Sequence, residues 1–79
     1  MRNITPNDFL VLLGNEEIIR DYQVTGDAHI TSSTDFLGNN LIFENCTFQG
    51  ELWFKNFSIE GYIRLYNCEF KTAVVFENI

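Results

Sequence analysis

Two cysteines, one histidine and a series of glutamates are the side chains of this 79-residue chain whose types could do chemistry. Cys46 and Cys68 are far apart, not in a C-x-x-C pair, and two thiols alone make a poor zinc set. The reading is of inward thiols that pack as small apolar groups. His29 sits between Ala28 and Ile30 at an alternate, outward position. No serine nucleophile or second ligand stands in a recognisable relation to it, so an exposed and inert histidine is expected. Glu44, Glu51, Glu60, Glu69 and Glu77 fall on scattered outward positions. A glycosidase would need two carboxyls held across a cleft. No glycine-rich phosphate loop occurs. The expectation is no catalytic residue, no metal, no cofactor and no enzyme.

What positions these residues is a repeat. From Leu41 the chain reads LIFENCTFQGE, LWFKNFSIEGY, IRLYNCEFKTA, VVFENI, with a period of eleven. Leu41, Leu52, Ile63 and Val74 open the blocks; Phe43, Phe54, Leu65 and Phe76 follow two places on; Asn45, Asn56, Asn67 and Asn78 close each first half. A fixed period signals a stacked repeat. Each block divides into two five-residue units and a spacer, with apolar residues at the first and third places of a unit, the period of a strand with one buried face. The parity then breaks, at 41 and 43, then 46 and 48, then 52 and 54. A straight strand would hold one parity, so the chain must turn at Asn45, Gly50, Asn56, Gly61 and Asn67, residue types that tolerate a left-handed corner.

Such short strands are best wound so that each pairs with the one above and below. The predicted fold is mainly β: a short parallel β-helix, or solenoid, of about 22 residues per coil and about two and a half coils, with an N-terminal helical cap. A coil of that length stacks Cys46 on Cys68, Phe48 on Phe70, Phe54 on Phe76 and Asn45 on Asn67. Looser units precede the repeat at Tyr22–Gly26, Ala28–Ser32 and Thr34–Gly38. The predicted interior is Val24, Ile30, Phe36, Leu41, Phe43, Cys46, Phe48, Leu52, Phe54, Phe57, Ile59, Ile63, Leu65, Cys68, Phe70, Val74 and Phe76.

Residues 1–21 carry no repeat and are read as the cap, with 22–79 as the repeat, the whole forming one compact domain. Thr5 is a helix cap, Pro6 takes the first helical position, Asp8 lies in the first turn and Gly14 is the stop. A second short helix is expected over Glu16–Arg20, capped by Asn15.

The units Cys46-Thr-Phe48-Gln-Gly50 and Cys68-Glu-Phe70 resemble those of the pentapeptide-repeat proteins, which centre on Phe or Leu with a small residue two places before. Phe57–Gly61 and Thr34–Gly38 fit partly; the large Leu41, Leu52, Ile63 and Val74 and the regular spacer depart from the family's pattern. The resemblance covers roughly 22–79 and implies a right-handed parallel β-solenoid. It also implies one function class, since some members are similar to duplex DNA in size, rise and negative charge and occupy the DNA groove of topoisomerases.

Eleven acids against five bases give a net charge of −6, which argues against binding phosphate backbones or anionic membranes. With no apolar run long enough to span a bilayer and no leader, a cytoplasmic protein is expected. Two functions follow. The first is a small acidic inhibitor, a DNA mimic of phage or mobile-element type (anti-CRISPR-like, or opposing a topoisomerase or nuclease), covering the basic surface of a nucleic-acid-binding enzyme. Its partner-binding residues would be Glu44, Glu51, Trp53, Glu60, Tyr62, Tyr66 and Glu69. The second is an assembly module that polymerises or docks end to end through its open C-terminal coil at Phe70, Val74, Phe76 and Ile79, with a homodimer expected there and a different partner covering that end as the rival.

Overall fold

The computed structural model describes residues 1–31, 40–55 and 61–77. In chain order these form β1 (Arg2–Ile4), α1 (Pro6–Leu13), β2 (Ile18–Arg20), β3 (Tyr22–Val24), β4 (Ala28–Ile30), β5 (Leu41–Glu44), β6 (Thr47–Phe48), β7 (Leu52–Lys55), β8 (Ile63–Tyr66), β9 (Glu69–Phe70) and β10 (Val74–Glu77). The fold is mainly β, with one short helix among the described residues.

The strands make three sheets, ordered β1-β3-β6-β9, β4-β7-β10 and β2-β5-β8. Every pairing among the described residues is parallel. The chain visits the sheets in one repeating order, β2-β3-β4, then β5-β6-β7, then β8-β9-β10. Between the second and third passes the register places Leu41 on Ile63, Thr47 on Glu69 and Leu52 on Val74, an offset of two eleven-residue blocks. Between the first and second the offset is longer by two, as in Ile18 on Ile42, Val24 on Phe48 and Ala28 on Leu52. The stacking expected from the sequence is therefore present where the repeat is regular.

Side-chain parity follows from the pleat. Leu41, Phe43, Cys46, Phe48, Leu52 and Phe54 are buried, and Val24, Ala28 and Ile30 join them from the first pass. Phe48 stacks on Phe70 at 5.2 Å with planes 7° apart, and Phe54 on Phe76 at 5.0 Å and 9°. Trp53 is half-buried beside a fully buried Phe54, so the register is the expected one. Two residues expected inside are not enclosed: Leu65 and Phe76 keep the inward parity but are exposed, because among the described residues β8 and β10 have a neighbour on one side only. Phe36, Phe57 and Ile59 lie outside the described residues, as do Asn56, Glu60 and Ile79.

The corners use left-handed backbone at Asp21 (φ 62°), Asn45 (φ 53°) and Asn67 (φ 53°), where Asn and Asp carry the smallest penalty short of glycine. Their side chains form a ladder: Asn45 Nδ2 donates to Asp21 Oδ1 at 2.7 Å, and Asn67 Nδ2 to Asn45 Oδ1 at 3.1 Å. At the next corner Glu51 N donates to Asp27 Oδ1 at 2.8 Å. Gly50 is required there, because a Cβ would overlap both Asp27 Oδ1 and the Gly26 carbonyl carbon.

The N-terminal segment differs in part from its sequence reading. Thr5 caps α1, accepting from Asp8 N at 3.2 Å, with Pro6 at the first turn and Gly14 at its end, as expected. The second helix expected over Glu16–Arg20 does not form: Ile18–Arg20 is β2, paired with Ile42–Glu44. Arg2–Ile4 also joins a sheet, beside Tyr22–Val24. For three-residue segments, pairing and burial of Ile19 outweigh local helix signals. Phe9 and Leu13 of α1 are fully buried, and Phe9 meets the rings of Phe43 and Phe48, each at 5.6 Å.

Candidate functional site

The described outward residues expected to meet a partner fall into separate groups on different sheets, Glu44 beside its register partner Tyr66 and Glu51 beside Trp53. Glu44 and Tyr66 lie in the β5 sheet, Glu51 and Trp53 at the β7 strand, and Glu69 on β9. Each described glutamate of this set is already engaged. Glu44 Oε2 accepts from Arg20 Nε at 2.6 Å, and this hydrogen bond, then the carboxylate charge, raises the Arg20 pKa above its ordinary value. Glu51 Oε2 accepts from Trp53 Nε1 at 2.5 Å. Glu69 pairs with Lys71 at 2.7 Å. The described glutamates of this set thus stand beside a base or a donor, each in or next to a different sheet.

Trp53 is itself surrounded. The His29 ring stacks on it at 5.2 Å and 14°, and Lys55 Nζ stands 4.0 Å from the indole centroid. His29 and Trp53 are register partners, so the stack follows from the ladder. Tyr62 and Tyr66 are more open, at 51% and 60% exposure, and Arg64 lies 5.7 Å from the Tyr66 ring.

Both thiols are free and turned toward the interior, Cys46 fully buried and Cys68 partly. Cys46 Sγ lies 3.4 Å from the carbonyl oxygens of Ile19 and Glu44, either of which can accept its proton. Cys68 Sγ lies 3.5 Å from those of Phe43 and Tyr66. Burial pushes both thiols above their ordinary pKa, which keeps them protonated and weakly nucleophilic at neutral pH. Among the described residues no three His, Cys, Asp or Glu side chains cluster as a metal site, and no helix is long and apolar enough to cross a membrane.

One feature does bring side chains together: the last strand of every sheet. Among the described strands, β8, β9 and β10 are all edges and lie at the same end of the three sheets. The row that is buried in β5, β6 and β7 continues in them as Ile63, Leu65, Phe70, Val74 and Phe76, of which Leu65 is 38% and Phe76 53% exposed. The backbone is open as well. Leu41 N donates to Tyr62 O and Leu52 N to Ala73 O, so the parallel alternation aims the amides of Ile63, Leu65, Val74 and Phe76 away from the sheet interior. Phe70, Val74 and Phe76, expected from sequence to mediate self-association, lie with Ile63 and Leu65 on these edge strands, Ile63, Phe70 and Val74 partly buried and Leu65 and Phe76 exposed; Ile79 of the same set lies outside the described residues.

In comparisons with known proteins, no family model, no curated protein and no solved structure matches this chain.

Proposed function

We propose that this chain is a short parallel β-solenoid, of the kind the pentapeptide repeats resemble, and that it serves as an assembly module. It takes another chain onto the free edges of β8, β9 and β10 by strand addition. The parallel pairings, the repeated order of the sheets and the two-block offset support the solenoid reading. The N-terminal segment with α1 would cap its first coil.

The observation that carries the function is the coincidence, among the described residues, of three strand edges without a further neighbour and a partly exposed apolar row at one end. Unpaired edges supply directional hydrogen bonds, and alternate side chains beside them supply apolar contact. The acidic-mimic reading has no comparable support, because Glu44, Glu51 and Glu69 belong to or adjoin three different sheets and each already has a partner.

The test is solution mass by light scattering over a concentration series, at low and high salt, for the native chain and Phe76→Glu. The expected result is association that ignores salt in the native chain and is lost in the variant. Association that dissolves in salt and survives Phe76→Glu would contradict it and return weight to an electrostatic partner surface.

A further inference from the structure

We infer that the chain taken onto this edge is a second copy of the same chain, related by a two-fold axis, so that two copies close on each other with their α1 ends outward. This rests on the strand-addition reading above.

The first ground is that the two ends of the sheets differ. At the α1 end the interior is closed: Phe9 and Leu13 are buried with Ile19, Val24 and Ile30. At the other end Leu65 and Phe76 are open. A head-to-tail stack needs the α1 end to receive the apolar row, and the inward residues that continue that row there, Ile19, Val24, Ala28 and Ile30, are already covered, the exposed Met1 and Val11 lying outside it. Heterologous contact, and with it a growing filament, is therefore disfavoured, whereas an isologous contact uses only the open end.

Charge gives an independent ground. Residues 1–31 hold five acids (Asp8, Glu16, Glu17, Asp21 and Asp27) against Arg2 and Arg20. Residues 61–77 hold Glu69 and Glu77 against Arg64 and Lys71 and are neutral. Two open ends can approach without net repulsion, while two α1 ends repel. A basic partner would find little to attract it at the open end.

The edges are also self-complementary. A two-fold axis across the stack reverses strand direction, so each edge of one copy meets an edge of its mate antiparallel, a pairing that the margin of a parallel sheet accepts. Both copies present alternating outward amides and carbonyls there, and both present the same apolar row. The contact covers Ile63, Leu65, Phe70, Val74 and Phe76 in each.

The experiment is sedimentation velocity over a thousand-fold concentration range on the native chain, on Phe76→Glu, on Val11→Glu and on an equimolar mixture of the two variants. Val11 lies on the exposed side of α1. A closed pair predicts a plateau at twice the chain mass for the native chain and Val11→Glu, monomer for Phe76→Glu, and no mixed dimer beyond the Val11→Glu homodimer. Growth past two copies, or recovery of association only in the mixture, overturns the two-fold pair but retains strand addition. A native chain that stays monomeric overturns the second copy. Its capture of a synthetic peptide spanning positions 63–77, absent in Phe76→Glu, would then retain strand addition, and no capture would remove both.

Discussion

Phe9→Ala should be the most damaging single truncation in the N-terminal segment. Phe9 is fully buried on a helix that carries no strand repeat, and its ring is wedged against Phe43 and Phe48 at 5.6 Å from each. Losing the ring removes about 1.5–3 kcal/mol of transfer energy. The cavity between two aromatic rings adds to this, bringing the total to about 3–5 kcal/mol. A domain of this size has roughly 4–12 kcal/mol in all. With a urea slope of about 1 kcal/mol/M, the unfolding midpoint should fall by roughly 3 M or vanish altogether. Phe9→Leu should recover more than half of the loss. Phe76→Ala, at a half-exposed ring, should cost about 1 kcal/mol in the monomer. A midpoint shift below ~1 M for Phe9→Ala, or equal losses at Phe9 and Phe76, would refute the reading of α1 as the closed end of the core.

Gly50→Ala should cost about 3 kcal/mol by chemical denaturation, since its methyl meets the backbone of Gly26 and Asp27 and not only a movable side-chain tip. A cost under ~0.5 kcal/mol would show that the corner relaxes. Arg20→Ala should shift the unfolding midpoint only slightly, and less in high salt, because the Arg20 side of the Arg20–Glu44 pair is solvated. Burial raises the folded-state pKa of Cys46 above its unfolded value, so the thiol's contribution is fully present below the unfolded value and is lost as pH rises through the folded one. Stability should therefore decline above roughly pH 8.5, with a shallower decline in Cys46→Ala. An identical slope in the variant would assign the decline to other groups.

Most of the sheet structure is legible in the sequence because the repeat fixes both parity and offset. Spacing alone places Phe43, Phe48 and Phe54 inside and Trp53 partly outside, and residue type places Asn45 and Asn67 at corners. The first pass is less legible, since its longer offset breaks the period. β1 and β2 are very short, and the Asn15-Glu16-Glu17 start looks helical when read locally. Only pairing with a strand distant in the chain decides otherwise. The acids show the complementary limit. Alternation says that Glu44, Glu51 and Glu69 point outward, but not that they leave from three sheets or that Arg20, Trp53 and Lys71 meet them. The open end of the described strands follows from the register, and Leu65 joins it because among them β8 has a neighbour on one side only.

Amide hydrogen exchange at the strand edge, read by residue at low and high protein concentration, tests assembly through that edge most directly. The outward amides of Ile63, Leu65, Val74 and Phe76 should exchange fast in the dilute native chain and in Phe76→Glu at any concentration. In the concentrated native chain the same four should become protected while β2, β3 and β4 stay unchanged. Protection of these amides that ignores concentration and persists in Phe76→Glu, or new protection on α1 instead, would contradict assembly through the open edge.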